Sequence, residues 1–384
     1  MTLEPPTNVA RGDSGPTSAV HPSTFGRFFL PGPTEVHPDV LAAMQRPMIS
    51  HRGAEMVELF KFIEPLLQRV WRTSRRVFIG TCSATGFMEM AVRCGVRQRV
   101  LALVGGAFGE RFGGIAAACG REVVRLDVPI GGTVEPDMLW DALKRSDVDA
   151  VTVVHSETST GALAPLDKLA AVAREFEDVV LLVDAVTSCG GCPVETDLWD
   201  LDFVLTGSQK ALALPPGLAF SVASPRMLSR ARRVPERGAY LDLLAFERAA
   251  ADYQPTFTPA IPLLYALQAQ LTRIEAAGGI EARWARHERM RQVVERWVGG
   301  EGGELGFRLL PPVDRRSWTI SCLEVPNAAG GRAIVKDVRE RGWVIGTGYG
   351  RLKQSTIRIG HMGDHTPEAV EELLAVLESV MRVR

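Results

Sequence analysis

Between residues 100 and 222 the chain alternates short apolar runs with helical stretches, and this alternation constrains the fold more than any other feature. The runs are rich in β-branched residues, which is typical of strands buried on both faces of a sheet. The clearest helical patterns between them are Pro136–Arg145 and Leu166–Glu175. Strands that alternate with helices predict an α/β domain around a mostly parallel sheet. The predicted strands are Arg99–Val104, Glu122–Leu126, Ala150–Val154, Val179–Val183, Asp202–Thr206 and Leu218–Val222.

The chain has 384 residues, which is enough for one large and one small domain. Residues 1–26 are polar and rich in Pro, Ser, Thr and Gly, and this composition predicts a disordered N-terminal tail. We expect residues 27–262 to form the large domain and residues 263–384 a small α+β C-terminal domain. The last helix is predicted over Thr366–Val383, with Thr366 as its N-cap.

The overall composition gives no reason to expect binding to nucleic acid or to an anionic membrane, because the net charge is −1. No apolar run approaches the ~18 residues of a membrane span, and no secretory signal pattern is visible, so we expect a cytoplasmic protein. Six scattered cysteines do not predict a disulfide scaffold. Cys189 and Cys192 form a lone CxxC, which is either a turn or a redox pair. It does not predict a metal site, because a structural zinc needs four ligands.

Lysine is scarce, and only Lys210 of the six lysines directly follows a predicted buried strand. A lysine in a partly apolar setting can have a lowered pKa and become a Schiff-base nucleophile, although a surface lysine is the simpler alternative. Asp184 ends another apolar strand. A buried carboxylate there needs a partner, and a protonated pyridine nitrogen would be suitable. The alternative role of Asp184 is to cap the next segment.

Three polar or glycine-rich segments also follow predicted strands or precede a predicted helix. Gly80–Gly86 leads into a helix and is suited to cradle a phosphate, although Ser83 or Thr85 could be a simple N-cap. Phe108 lies between glycines and could stack on a planar ring or pack in the core. His155–Gly161 supplies a cluster of hydroxyl groups. Because ligands gather at the carboxyl ends of parallel strands, we expect these segments to share one site.

In this order the motifs resemble those of class V (fold type I) pyridoxal-phosphate aminotransferases, specifically the alanine/serine–glyoxylate (or pyruvate) group. The resemblance covers roughly residues 27–382. It implies the PLP-dependent transferase fold type I, which has a large domain with a mostly parallel central sheet and a small α+β C-terminal domain. The segments that carry it are Phe29–Thr34, Ile49–Arg52, His155–Gly161, Val183–Ser188, Gly207–Ala211 and Ile357–Gly363.

The resemblance implies a role for each matching residue. Lys210 would attach the pyridoxal 5′-phosphate and later move the proton, while Asp184 would pair with the pyridine nitrogen. Arg358 would clamp the substrate carboxylate, with Gly32 and Arg52 also at the substrate. The remaining implied cofactor contacts are Ser83, Ala84 and Thr85 on the phosphate, Phe108 and Val186 on the two ring faces, Thr158 and Gln209 near the ring hydroxyl, and Thr258 on the phosphate of the neighbouring subunit.

The implied activity is transamination by a homodimer, from an alanine- or serine-type amino acid to a 2-oxo acid such as glyoxylate or pyruvate. The phosphate loop departs from the common Ser-Gly-His pattern, and His51-Arg52 resembles a pair that reads the distal end of the substrate in some relatives. The sequence therefore leaves open whether the substrate carries a second acidic group. The alternatives are a 2-aminoethylphosphonate–pyruvate-type transaminase, a lyase or cysteine desulfurase with the same cofactor, and a catalytically silent binding protein.

Overall fold

The computed structural model describes residues 25–326 and 330–384, so nearly all of the predicted N-terminal tail lies outside the described residues. The strands are Phe28–Phe29 (β1), Val77–Gly80 (β2), Arg99–Val104 (β3), Glu122–Asp127 (β4), Ala150–Val154 (β5), Ser156–Glu157 (β6), Ala162–Leu163 (β7), Val180–Asp184 (β8), Phe203–Gly207 (β9), Ala219–Ala223 (β10), Arg308–Leu309 (β11), Ser321–Glu324 (β12), Val344–Thr347 (β13) and Thr356–Ile359 (β14). The helices are Pro38–Ala43 (α1), Ala54–Trp71 (α2), Ala84–Gly95 (α3), Ala107–Ala118 (α4), Pro136–Arg145 (α5), Leu166–Arg174 (α6), Pro225–Arg233 (α7), Leu243–Ala251 (α8), Ile261–Ala276 (α9), Gly279–Gly299 (α10), Glu301–Glu304 (α11), Gly331–Glu340 (α12) and Pro367–Arg382 (α13).

A seven-stranded sheet forms the centre of the molecule, in the order β2-β10-β9-β8-β5-β3-β4. Its neighbouring strands are parallel except where β10 pairs with β2 and β9. All six predicted strands are present within one residue of their expected bounds, which confirms the predicted α/β class. The carboxyl ends of β3, β5, β8 and β9 therefore lie along one edge.

Hydrophobic packing on both faces explains why these strands are continuously apolar. Leu181 and Val183 of β8 point into one core, which also contains α2 and α6, while Val180 and Leu182 point into a second core with α3. Successive side chains of a strand alternate between faces, so a strand covered on both sides needs an apolar residue at each position.

A second, five-stranded sheet has the order β1-β13-β14-β12-β11 and its own core. Ile357 and Ile359 of β14 pack there against Leu373 and Leu377 of α13. The Thr366 side chain accepts a hydrogen bond from the Ala369 amide, so the predicted N-cap is confirmed. The strand β1 pairs with β13, so the start of the described chain belongs to this second sheet.

The boundary predicted between residues 262 and 263 does not coincide with the change of hydrophobic core. Leu264 and Leu267 of α9 pack in the core of the large sheet, as does Trp284 early in α10. Met290, further along α10, packs in the core of the small sheet. The change thus occurs inside α10, because α9 still covers the large sheet. No described helix is long and apolar enough to cross a membrane.

Candidate active site

The predicted site residues Lys210, Asp184, Phe108 and Thr158 all follow or end strands at the same edge of the large sheet. The His155 amide donates to the carbonyl of Asp184 (2.9 Å), which links the ends of β5 and β8. From the second sheet, Arg358 reaches the same edge and donates to the Thr158 carbonyl at 3.1 Å. The cleft between the two sheets therefore brings these residues together.

Lys210 is 7% exposed, and the segment after β1 covers it. Its Nζ donates to the carbonyl of Pro31, and the Thr34 hydroxyl donates to the Lys210 carbonyl at 3.1 Å. Gly32 lies so close that a Cβ there would be 2.7 Å from Lys210 Cε, and its φ of +119° also favours glycine. Burial is the main cause that lowers the pKa of Lys210 to about 7, and the nearby charge of Arg358 lowers it further. A large fraction of this amine is therefore unprotonated near neutral pH.

Asp184 is the last residue of β8 and is 2% exposed. Its Oδ1 accepts a hydrogen bond from the Val186 amide at 2.8 Å, the only hydrogen bond to this carboxylate within residues 25–326 and 330–384. Burial raises the pKa of Asp184 to about 7. A buried carboxylate with one partner is suited to receive a cationic donor such as a protonated ring nitrogen.

The predicted phosphate loop is the N-terminus of α3. Ser83 is the N-cap residue but its side chain makes no capping bond, and the side chains of Ser83 and Thr85 are exposed. The first-turn amides, which include those of Ala84 and Thr85, have no partner within their own helix and are oriented by the helix dipole toward an anion. The Gln209 side chain lies close to the backbone of Gly207. A Cβ placed on Gly207 would be only 2.6 Å from Gln209 Oε1.

Phe108 lies in the first turn of α4, a helix that the glycine-rich sequence did not predict. The buried carboxylate of Glu157 holds this turn, since Oε2 accepts from the amides of Phe108 (3.0 Å) and Gly109 (3.1 Å). Its Oε1 accepts from the amide and the hydroxyl of Ser159. Gly106 permits this approach, because a Cβ there would lie 2.5 Å from Glu157 Cγ. Glu157 thus positions the turn that carries Phe108, a role that sequence reasoning missed although the residue lies inside the hydroxyl-rich segment.

Arg358 is half-buried in β14, and its guanidinium is held by backbone carbonyls only. Nε donates to Thr347 O at 2.9 Å and Nη1 donates to Thr158 O at 3.1 Å. Among the described residues no carboxylate lies within ion-pair distance of Arg358, and Glu157 acts on its charge only from further away, so the alternative of a structural ion pair is not realised. Burial lowers the pKa of this guanidinium. Arg358 therefore carries a positive charge into the cleft and retains N–H donors for a ligand.

Thr158 and Val186 border the same cleft. The hydroxyl of Thr158 is hydrogen-bonded to the hydroxyl of Thr187 at 2.5 Å, and both residues are buried. Val186 is half-buried, two residues beyond Asp184. The expected packing of Val186 on a ring face stays a prediction.

Arg52 and Thr258 lie together at a separate, exposed place. The Arg52 guanidinium donates to the carbonyls of Pro255 (2.6 Å) and Thr256 (3.2 Å), two residues of the segment that contains Thr258. Within the described chain, neither Arg52 nor Thr258 forms a hydrogen bond or an ion pair with Lys210 or Asp184. The implied roles of Arg52 and Thr258 stay predictions.

The cysteines lack the features of an activated nucleophile. Burial raises the pKa of both Cys322, in β12, and Cys82, in the phosphate loop, to about 11. Cys189 and Cys192 are buried in the turn after β8, and burial raises the pKa of both thiols. A desulfurase would need an accessible, easily ionised thiol. Among the described residues, no group of three or more His, Cys, Asp or Glu is placed to hold a metal ion.

These observations fit pyridoxal 5′-phosphate. The buried amine of Lys210 has a lowered pKa, Asp184 has one partner, and the start of α3 is open to an anion. The three groups match the aldehyde, the ring nitrogen and the phosphate of that cofactor in chemical type.

Comparisons with known proteins agree with this geometry. The family model described as aminotransferase class-V matches residues 113–322. An uncharacterized aminotransferase of Methanocaldococcus jannaschii is 36% identical over 92% of both chains. An aspartate aminotransferase structure from Thermus thermophilus is 33% identical with a TM-score of 0.84, covering 93% of this chain and 99% of that one. An alanine–glyoxylate aminotransferase structure from Nostoc sp. is 30% identical with a TM-score of 0.87, covering 97% and 100%.

Proposed function

Because the chain belongs to the class-V aminotransferase family, we propose that the cleft between its two sheets transfers an amino group from an alanine- or serine-type amino acid to a 2-oxo acid such as glyoxylate or pyruvate. The enzyme is a pyridoxal 5′-phosphate-dependent aminotransferase that acts on amino acids and 2-oxo acids. The observation that carries the assignment of its residues is the meeting of Lys210, Asp184 and Arg358 in one cleft, each buried or half-buried and none with an ion pair.

When bound, the cofactor supplies an electron sink for the pair of electrons left behind when the α-proton departs. Lys210 Nζ would hold the cofactor, and once the amine of the substrate has displaced it, the freed Lys210 amine would accept the α-proton and return it to the product. Its lowered pKa supports this role, because only the unprotonated amine is a nucleophile or a base. Asp184 holds the ring-nitrogen proton at its carboxylate, and the cationic partner offsets the cost of burying that charge.

Arg358 binds the α-carboxylate of both the donor and the acceptor. The bonds from Nε and Nη1 to backbone carbonyls fix the plane of the guanidinium before the substrate arrives. A substrate carboxylate then provides the counter-charge that the described chain lacks, through charge-assisted hydrogen bonds. Because both substrates share this carboxylate, one arginine serves both halves of the reaction.

The homodimer that we propose has its contacts near the exposed segment of Arg52 and Thr258. There Tyr240 and Phe257 stack with ring centroids 4.9 Å apart, and they are 48% and 40% exposed. The Tyr240 hydroxyl donates to the carbonyl of Thr81, within the phosphate loop. Exposed aromatic residues beside a binding loop are typical of a subunit interface. We place the enzyme in the cytoplasm, since all six cysteines are free.

Single-turnover spectroscopy tests the proposed function. The purified protein, loaded with pyridoxal 5′-phosphate, is mixed with L-alanine, L-serine, L-cysteine or 2-aminoethylphosphonate, and loss of the cofactor's visible absorbance is followed. We expect bleaching by an α-amino acid, and recovery of the absorbance on addition of glyoxylate or pyruvate. Formation of alanine and sulfide from cysteine would instead support a desulfurase. Bleaching by 2-aminoethylphosphonate alone would support the phosphonate-type transaminase, and a protein that binds no cofactor would contradict the proposal.

A further inference from the structure

A second guanidinium without a carboxylate partner lies beside Arg358. Arg111 follows Phe108 by one turn of α4, and its guanidinium carbon is 4.6 Å from the centroid of the Phe108 ring. Its one hydrogen bond in the described chain runs from Nη2 to the hydroxyl of Tyr349, at 3.2 Å. Two cations at one cleft repel each other, so an arrangement that keeps both unpaired is suited to receive more than one negative charge.

Tyr349 connects the two arginines across the cleft. It lies in the loop between β13 and β14, and its ring centroid is 5.5 Å from the guanidinium carbon of Arg358. The Phe108 and Tyr349 ring centroids are 5.7 Å apart. One tyrosine thus touches Arg358 with its ring and Arg111 with its hydroxyl, which places both guanidinium groups at the same opening.

The acidic residues near Arg111 are engaged elsewhere. Glu110 lies 3.7 Å from Arg125, and Glu157 already accepts hydrogen bonds from the start of α4 and from Ser159. Asp184 is fully buried at the end of β8. The charge of Arg111 nevertheless acts on the reaction centre, since it opposes the rise that burial causes in the pKa of Asp184 and adds to the lowering of the pKa of Lys210.

We propose that Arg111, assisted by the Tyr349 hydroxyl, forms a second anion subsite that binds the distal carboxylate of a dicarboxylic amino acid or 2-oxo acid. This inference rests on the proposed function and names the substrate class of the same site. Small amino acids bind by their α-carboxylate at Arg358 alone, whereas a dicarboxylic amino acid such as aspartate also pairs with Arg111. A dicarboxylic substrate therefore makes one more charge-assisted contact in this cleft than alanine or serine makes.

Binding of unreactive acids tests the subsite without any turnover. The cofactor-loaded wild-type protein is titrated with succinate and with propionate by isothermal titration calorimetry. The same titrations are made on Arg111→Gln and on Arg351→Gln, a control with the same charge change on the exposed loop next to Tyr349. We expect Arg111→Gln to weaken succinate binding roughly ten-fold or more while propionate changes little, because only succinate loses a charge-assisted hydrogen bond. Tyr349→Phe should weaken succinate in the same direction by a smaller factor.

Single-turnover rates with L-aspartate, L-alanine and O-phospho-L-serine complete the test. Wild type should react with aspartate as well as with alanine, and Arg111→Gln should lower the rate with aspartate by a larger factor than the rate with alanine, because the effect of the Arg111 charge on Lys210 and Asp184 is common to both substrates. Equal loss with succinate and propionate, or an effect of Arg351→Gln as large as that of Arg111→Gln, would overturn the proposal. A dependence on Arg111 confined to O-phosphoserine would replace the carboxylate subsite by a phosphate subsite. If no amino acid reacts but succinate still binds through Arg111, the proposed function fails and the subsite stands.

Discussion

Asp364 lies between β14 and α13, and its side chain contacts α9 and α10. Removal of its charge should destabilise the folded chain. Its Oδ1 accepts from Arg283 Nη1 at 2.7 Å, and the carboxylate also accepts from Gln270. Arg283 in turn donates from Nε (3.1 Å) and Nη2 (2.6 Å) to the carbonyl of Ala211, the residue after Lys210. The carboxylate therefore anchors a guanidinium that holds the backbone next to the reactive lysine.

The pKa of Asp364 gives the magnitude of this stabilisation. Burial alone would raise the pKa, but the charge and hydrogen bond of Arg283 hold it at about 2, against 3.8 for an ordinary aspartate. This difference corresponds to about 2.5 kcal/mol in favour of the folded state. The variant Asp364→Asn also leaves Arg283 buried without its counter-charge, so the total loss should reach about 3–5 kcal/mol at pH 7. Because the pKa is lowered on folding, the ionic contribution is complete above about pH 4 and disappears as the pH falls toward 2.

Urea unfolding of wild type and Asp364→Asn, followed by circular dichroism between pH 7 and pH 2.5, measures this effect. The control is Asp141→Asn, because Asp141 pairs with Arg145 at 3.0 Å on the exposed surface of α5 and should contribute less than about 1 kcal/mol. The difference between wild type and Asp364→Asn should be large at pH 7 and shrink below pH 4. A difference at pH 7 no larger than the control's, or one that stays constant below pH 4, would refute the reasoning.

Three further substitutions test single residues of the site. Glu157→Gln places an amide nitrogen against two of the four donors, so we expect a loss of about 3 kcal/mol in urea unfolding and weaker cofactor binding through a displaced Phe108. Asp184→Asn should slow proton abstraction in single-turnover experiments by at least about a hundred-fold, and a near-normal rate would mean that the pairing with the ring nitrogen is wrong. Arg358→Lys should raise KM for the amino acid and for the 2-oxo acid together, because lysine cannot copy the planar fork of the guanidinium. The loss of binding free energy should be about 2–5 kcal/mol. Normal KM values with lost cofactor would make Arg358 structural.

The large sheet was predictable from the sequence because burial on both faces leaves continuous apolar runs such as Val179–Val183. Asp184 and Lys210 were predictable for the same reason, since Asp184 ends such a run and Lys210 follows three residues after another. Helix α4 was not predicted, because the glycines at 105 and 106 directly before it and at 109, 113 and 114 within it suggest a loop. Its start depends on the distant carboxylate of Glu157, a contact that no local pattern reveals.

The contacts across the cleft also could not be predicted from the sequence. Arg358 was identified by its motif, but its freedom from an ion pair depends on which residues the other sheet places opposite it. Tyr349 and Arg111 are 238 residues apart in the chain, and only the packing of the two sheets brings them together. The sequence did not predict that α10 passes from one hydrophobic core to the other, because the start of the helix packs in the core of the large sheet and its later part packs in the core of the small sheet.

Reduction with borohydride followed by peptide mapping tests the central claim most directly. The protein is loaded with pyridoxal 5′-phosphate, reduced and digested, and mass spectrometry locates the cofactor among the six lysines. The account predicts a single adduct, on the peptide that contains Lys210. This adduct should not form in Lys210→Ala, nor in wild type when an amino acid has bleached the cofactor before the reduction. An adduct on Lys61, Lys144, Lys168, Lys336 or Lys353 instead, with Lys210 unmodified, would contradict it.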